Sequence, residues 1–109
     1  MTTYMFQGKY TPESFAKLVA HPQDRTQMIQ KMAQAGGGKL LHMYYAFGEY
    51  DIVAIMEYPD NVSMAAVAMT VAAGGALSGG MTTVLMTTAE AEAAMKKAGS
   101  LKGTYKQPS

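Results

Sequence analysis

One segment, residues 39–59, constrains the fold more than any other part of the chain; its sequence is KLLHMYYAFGEYDIVAIMEYP. Two runs of apolar and aromatic residues flank Gly48-Glu49, and a Gly-X pair between such runs is typical of a two-residue type II′ turn. The segment therefore predicts an antiparallel β-hairpin. The expected pairs across it are Phe47 with Tyr50, Ala46 with Asp51, Tyr44 with Val53, and His42 with Ile55.

Side chains along a strand alternate between the two faces of a sheet, so this turn assigns each hairpin residue to one face. One face has no charge and is expected to pack against helices; it carries Leu41, Met43, Tyr45, Phe47, Tyr50, Ile52, Ala54, Met56 and Tyr58. The opposite, mixed face carries Leu40, His42, Tyr44, Ala46, Asp51, Val53, Ile55 and Glu57. The outer strands are expected to add Gln7, Lys9, Thr83, Leu85 and Thr87 to the mixed face.

The remaining segments predict the element order β-α-β-β-α-β with one further helix at the C-terminal end. The expected strands and helices outside the hairpin are a strand at 4–10, helices starting at Pro12 and Asp24, an Ala-rich helix at 62–73, a strand at 81–87 and a helix at 88–99. This order is that of an α+β, ferredoxin-like fold, an antiparallel sheet with its helices on one face. We expect one domain over residues 1–99 and a flexible tail at 100–109.

Local signals support the helix boundaries. Asp24 and Gln27, and again Thr87 and Glu90, have the spacing of a capping box. His21 precedes Pro22, which disfavours helical geometry and predicts a surface loop there.

Composition argues against several classes of function. Nine Lys and Arg against eight Asp and Glu leave a formal charge of +1, so no basic surface for nucleic acid is predicted. The absence of cysteine excludes a disulfide or a thiolate nucleophile. The first ten residues lack the features of a signal peptide, and glycines interrupt the uncharged stretch 61–89 too often for a spanning helix. We expect a cytoplasmic protein that binds neither nucleic acid nor a membrane.

The mixed face predicts self-association. A solvated sheet face normally carries charge at most positions, yet Val53 and Ile55 occupy the centre of this one. Burying each of these side chains stabilises a protein by about 1.5–3 kcal/mol. The Ala-rich helix is small or apolar nearly all round, which is typical of a helix buried on every side. We therefore expect a homodimer or a higher homo-oligomer.

No catalytic motif stands out, but three side chains of the mixed face are candidates for chemistry. His42 and Tyr44 lie two residues apart on one strand, and with Asp51 they are candidates to orient a ligand or transfer a proton. Each has a structural alternative. We favour these alternatives, in which Asp51 bonds backbone amides or Lys9 of a second copy and His42 bonds a neighbour at an interface.

Neither a metal nor a cofactor is predicted. One His, one Asp and a phenol are too few ligands for a stable metal site. Met28 and Met32 lie on one helical stripe and Met43 and Met56 on the apolar strand face, so the eleven methionines predict core packing and not copper binding.

Gly48-Glu49-Tyr50-Asp51, between Gly37-Gly38-Lys39 and Pro59-Asp60, resembles the signature of the GYD domain family. The resemblance extends from about Thr2 to Thr88. It implies a ferredoxin-like fold of the dimeric α/β-barrel type. It implies no activity, because the family is largely uncharacterised.

Three functions therefore remain open. The first is a small-molecule-binding homo-oligomer with a polar-lined cavity near His42, Tyr44 and Asp51; the second is an enzyme of the monooxygenase or isomerase type with His42 as base; the third is an architectural module. The residues expected to contact a ligand or a second copy are Gln7, Lys9, His42, Tyr44, Asp51, Val53, Ile55 and Thr83.

Overall fold

A computed structural model describes all 109 residues of the chain. The elements in chain order are β1 (Thr2–Tyr10), α1 (Pro12–Ala20), α2 (Thr26–Ala35), β2 (Lys39–Tyr45), β3 (Ile52–Tyr58), α3 (Asn61–Ala73), β4 (Leu77–Leu85) and α4 (Thr88–Ser100). The four strands form one antiparallel sheet in the order β2-β3-β1-β4. The predicted ferredoxin-like α+β architecture is confirmed.

Side-chain caps begin most of the helices where the sequence predicts them. The Thr11 hydroxyl accepts a hydrogen bond from the Ser14 amide, and Asp60 does the same for Ser63 at 2.8 Å. At the start of α4, Thr87 and Glu90 form the predicted capping box, with both bonds at 3.0 Å.

The capping box predicted between Asp24 and Gln27 is wrong. Helix α2 begins two residues after Asp24, with Arg25 at the N-cap position. The Asp24 carboxylate instead accepts hydrogen bonds from the amide and the hydroxyl of Thr26, at 2.9 and 2.6 Å. These bonds lower the pKa of Asp24 below its usual value. They tie Asp24 into a turn before the helix.

The hairpin differs from its prediction at the turn. β2 ends at Tyr45 and β3 begins at Ile52, so a six-residue loop replaces the two-residue turn, and Gly48 does not have the positive φ that a type II′ turn requires. The Ala46 amide still donates to the Asp51 carbonyl at 2.7 Å, so this predicted pair is hydrogen-bonded, and the Asp51 amide donates to the Gly8 carbonyl at 2.8 Å and holds the end of the loop against β1. Phe47, predicted to pack, lies fully exposed in this loop.

The strand pairs away from the turn are confirmed, with one exception at the far end of β2. Tyr44 pairs with Val53 and His42 with Ile55, but an irregularity between Leu40 and His42 shifts the register. Leu40 consequently lies on the helix-covered face and packs against the core, so its assignment to the mixed face is wrong.

β4 also begins earlier than predicted, at Leu77 instead of Met81. Its glycines Gly79 and Gly80 pair with Lys9 and Gly8 of β1. Backbone hydrogen bonds to a neighbouring strand need no side chain. Glycines can therefore be part of β4 although their strand propensity is low. Thr87, expected on this strand, lies beyond it as the N-cap of α4.

The core lies between one face of the sheet and helices α2 and α3, and it is small. Ten of the 109 residues are buried, and Tyr4 and Tyr58 are the largest fully buried side chains. Their ring centroids are 6.2 Å apart, and the Tyr4 hydroxyl donates to the Asn61 side chain at 2.5 Å. Gly38 is required beside this pair, since an added Cβ would collide with the Tyr58 ring and the Glu57 carbonyl.

The helices are less buried than predicted. Only Met64 and Val67 of α3 are buried, whereas Val62 and Met69 are 78% and 70% exposed. Burial of α3 on every side is therefore not reached within the single chain. Helix α4 has no buried residue at all. None of the helices combines the length and the apolarity that crossing a lipid bilayer requires.

Candidate functional site

A cavity of about 260 Å³ lies between the helix-covered face of the sheet and helices α2 and α3. Fifteen of its eighteen lining residues are hydrophobic. Phe6, Ile52 and Ala54 form its floor, Met28 and Met32 line it from α2, and Val67 and Val71 line it from α3. The predicted apolar stripe of α2 and the uncharged strand face therefore meet here without filling the space between them. We call this space the apolar cavity.

Tyr10 and Arg25 lie where the apolar cavity meets a second, more polar recess of about 310 Å³. Only three of the eleven residues lining this polar recess are hydrophobic. The recess is formed by the start of α1, the segment before α2 and the end of α3. The two spaces share four residues, Tyr10, Arg25, Gly74 and Ala76.

Tyr10 is the buried polar residue at this junction. Its ring packs edge-on against Phe15, with centroids 5.5 Å apart. Burial raises the pKa of Tyr10 above its usual value, the nearby Tyr45 adds to the shift, and Arg25 opposes it. The Tyr10 hydroxyl is therefore neutral at pH 7, and its hydrogen bond with Tyr45 contributes to the raised pKa. Tyr45 is held close by a 3.4 Å hydrogen bond from the Arg25 amide to its hydroxyl.

The opposite face of the sheet has no helix over it, and we call it the open face. Two rows of side chains cross it from β2 to β4: His42, Ile55, Met5 and Thr83 in one row, and Tyr44, Val53, Gln7 and Met81 in the other. Lys9 lies on the same face, nearer the end of β1. The register thus places the predicted contact residues of these strands on one surface.

His42, Tyr44 and Asp51 are not assembled into one compact group. The rings of His42 and Tyr44 stack with centroids 6.3 Å apart. His42 pairs with Ile55, four residues from Asp51, which corresponds to about 13 Å along a strand. The Asp51 carboxylate accepts a hydrogen bond from the Tyr10 amide at 2.8 Å, the local bonding expected as its structural alternative.

No metal centre is formed, since no three His, Asp or Glu side chains converge. The ion pair between Lys96 and Glu92, at 3.2 Å, is the only one in the chain, so Lys9 and Asp51 are not paired within one copy. His21 is exposed beyond the end of α1, as predicted.

Comparison with protein families identifies the chain. The model of the GYD domain matches residues 4–95. The chain belongs to the GYD domain family. A comparison with curated protein sequences finds no match.

Two solved structures are similar to this GYD domain. The crystal structure of FFRP-DM1 matches with a TM-score of 0.50 and 15% sequence identity, covering 79% of this chain and 100% of that chain. A hypothetical protein from Pyrococcus horikoshii, PHS023, matches with a TM-score of 0.49 and 15% identity, covering 80% of this chain and 92% of that chain. At this identity the likeness to FFRP-DM1 shows a shared fold and nothing further.

The signature segment of this GYD domain is hydrogen-bonded to β1. Asp51, its last residue, bonds β1 twice, through its amide to Gly8 and through its carboxylate to Tyr10. These bonds fix the end of β1, and Tyr10 with it, at the junction of the two spaces. The signature therefore acts on the helix-covered side of the sheet as well as on the loop that contains it.

Sequence reasoning missed the residues at the junction. Tyr10 ends a strand and Arg25 precedes a helix, and neither position has a motif. The one available signal was that Tyr45 belongs to the uncharged face and carries a hydroxyl that needs a partner. The cavity itself depends on the separation of α2 from α3, which no local pattern encodes.

Proposed function

We propose that this GYD domain is a homo-oligomeric small-molecule-binding protein, in which the ligand occupies the apolar cavity and a second copy covers the open face. The observation that carries the proposal is the cavity itself. Protein interiors are close-packed, with few voids larger than a water molecule. A concave space of about 260 Å³ that opens to solvent and is lined by fifteen hydrophobic residues has the lining typical of a small-molecule site.

The chain's surface supports the second copy. Its solvent-accessible area is 7898 Å², about 2,000 Å² more than the roughly 5,900 Å² expected for a compact monomer of this mass. Its radius of gyration is 17.5 Å, against about 13 Å for a compact chain of 109 residues. Stable interfaces bury about 1,200–2,000 Å² in total, or roughly 600–1,000 Å² per partner, so one such contact would remove about a third to a half of the excess.

The open face is the surface best suited to that contact. Val53, Ile55 and Met5 occupy its centre in adjacent strands, and all three are only half-buried in the single chain. In this proposal Gln7, Lys9, His42, Tyr44 and Thr83 surround them and contact the second copy. Helix α4 also supports the presence of a second copy. A thirteen-residue helix without buried residues is marginally stable in water by itself, so contacts with another molecule would stabilise it.

Ligand binding is tested by filling the cavity. Ala68 lines it, whereas Ala65, three residues earlier on α3, is exposed and lines neither space. We expect Ala68→Phe to reduce the fluorescence of a bound neutral apolar dye at least tenfold, and Ala65→Phe to leave it unchanged. Absence of dye binding to the unmodified protein, with no small molecule retained in native mass spectrometry, would overturn the ligand part of the proposal.

Self-association is tested on the open face. Ile55→Glu places a charge at its centre, and Val84→Glu places the same charge on β4 at an exposed position of the opposite face. We expect light scattering to give an oligomeric mass for the unmodified protein and for Val84→Glu, and a monomeric mass for Ile55→Glu. A monodisperse monomer of the unmodified protein at millimolar concentration would refute the second copy.

A further inference from the structure

The apolar cavity and the polar recess lie next to each other and differ in chemistry. Tyr10, Arg25, Gly74 and Ala76 line both spaces. Fifteen of the eighteen residues that line the apolar cavity are hydrophobic, against three of the eleven that line the polar recess. A ligand that matches both spaces has an apolar part and a polar part.

The charges that line the polar recess favour a negatively charged group as the polar part of the ligand. Lys17 and Arg25 line it together with a single carboxylate, that of Glu13. Neither cation has a carboxylate within ion-pair distance. The guanidinium of Arg25 donates only to the neutral amide oxygen of Gln23, at 3.2 Å, and the side chain is half-buried. The recess therefore carries a net positive charge and a guanidinium free to bind an anion.

The acidic residues closest in the chain lie outside the lining of the recess. Asp24 lines neither space, and its carboxylate is engaged by Thr26. Asp51 lines neither space either, and its carboxylate accepts from the Tyr10 amide. A guanidinium binds carboxylates through parallel hydrogen bonds.

We infer that the ligand of this GYD domain is a small amphipathic organic anion, a carboxylate whose apolar part fills the cavity and whose head binds Arg25 and Lys17. The inference rests on the proposed function and adds the chemical class of the ligand. At about 260 Å³ the cavity is just below the range of pockets for drug-sized molecules, so the apolar part is correspondingly small.

The test compares octanoate with octanol, which share an apolar chain and differ in the charge of the head. Octanoate is an anion at pH 7, because carboxyl groups titrate near pH 4. Titration calorimetry on the full chain is expected to show octanoate binding at least tenfold more tightly than octanol. Raising the ionic strength from 0.05 to about 0.5 M should weaken the binding of octanoate and leave the binding of octanol unchanged.

Substituting the cations of the polar recess tests whether they cause the preference for octanoate over octanol. Arg25→Met is expected to lower octanoate affinity at least tenfold while octanol affinity stays within twofold. Lys31→Met is the matched control, since Lys31 is an exposed residue of α2 that lines neither space. Lys17→Met, in the first helix, is a second variant should Arg25→Met fail to fold, and it is expected to weaken octanoate severalfold.

The outcomes separate this inference from the proposed function. Equal affinity for octanoate and octanol would overturn the anionic head and leave small-molecule binding intact. The same holds if octanoate affinity is unchanged in both Arg25→Met and Lys17→Met. Binding of neither compound, together with no binding of the neutral dye, would overturn the proposed function itself.

Discussion

The two faces of the sheet are built from the same strands, yet they are covered in different ways. Along β3 every second residue is buried, from Ile52 to Tyr58, and every intervening residue from Val53 to Glu57 is only half-buried. Both sets contain large aliphatic side chains. The difference is that helices α2 and α3 lie over one face and nothing in the chain lies over the other. Apolar side chains on an uncovered face indicate a surface that another molecule covers.

The covered face differs from a fully packed core as well. Its helices meet the sheet at Tyr4, Tyr58 and the residues around them, but they leave a cavity farther along toward Tyr10. The proposed second copy and the proposed ligand thus concern opposite sides of the sheet. The open face is the proposed contact with a second copy, and the apolar cavity is the proposed ligand site.

The largest expected effect contrasts one tyrosine from each face. Tyr58→Ala removes a fully buried ring, and losses of this kind cost about 3–5 kcal/mol of unfolding free energy. Tyr44→Ala removes a ring that is 61% exposed, and we expect it to change the unfolding free energy of the monomer by less than about 1 kcal/mol. Denaturant titration at low protein concentration measures both. Equal losses would mean that the two faces do not differ in the way described.

A second contrast uses glycines. Gly38→Ala forces a methyl group against the Tyr58 ring and the Glu57 carbonyl, and we expect a loss of about 1–3 kcal/mol. Gly79 lies on the open face with free space around it, and alanine in a strand is more favourable than glycine by about 0.5–1 kcal/mol. Gly79→Ala should therefore stabilise the monomer slightly. A loss of stability in Gly79→Ala would show that this face is already occupied within the chain.

A smaller effect is expected at the edge of the open face. His42→Ala should raise the dissociation constant of the homo-oligomer a few-fold without changing the unfolding of the monomer, because interface residues away from the centre usually contribute little. His21→Ala, in an exposed loop, is the control and should change neither quantity. Analytical ultracentrifugation of both variants makes the measurement. An unchanged dissociation constant for His42→Ala would remove this residue from the proposed interface.

The smallest effect concerns the start of α3, which covers one face. Hydrogen bonds from the Ser63 amide and side chain lower the pKa of Asp60. A lowered folded-state pKa means that the stabilisation is complete above the unfolded value near pH 4 and is lost as the pH falls through the folded value. Asp60→Ala should therefore lower the thermal midpoint slightly at pH 7, and the difference from the unmodified protein should shrink below about pH 4. Asp60→Asn, which caps without titrating, should show no such pH dependence.

Much of the fold followed from local patterns. Thr87 and Glu90 predicted the start of α4 because a capping box satisfies its own backbone donors without help from elsewhere. The pairing of Tyr44 with Val53 followed from the alternation of strand side chains, which survives a change in the turn. The same alternation correctly placed Gln7, His42 and Thr83 on one face.

Other features were not predictable because they depend on contacts between distant segments. Leu40 moved to the covered face through an irregularity that pairing with β3 imposes. Asp51, at the end of the loop 46–51, bonds β1, a strand about forty residues away in the sequence. Gly79 and Gly80 joined β4 because β1 offered an edge to pair with. In each case a backbone partner from elsewhere in the fold outweighed the local preference.

The sequence alone determined the order of the elements, the family, and the contrast between an uncharged and a mixed face of the sheet, since these depend on periodicity and composition along the chain. Only the tertiary structure decided how far apart the helices lie over the sheet, and therefore where the apolar cavity opens and which side chains meet at its mouth. Tyr10 and Arg25 are brought together by the packing of α2 and α3 on the sheet, and the gap between two packed helices is set by all the side chains beneath them at once.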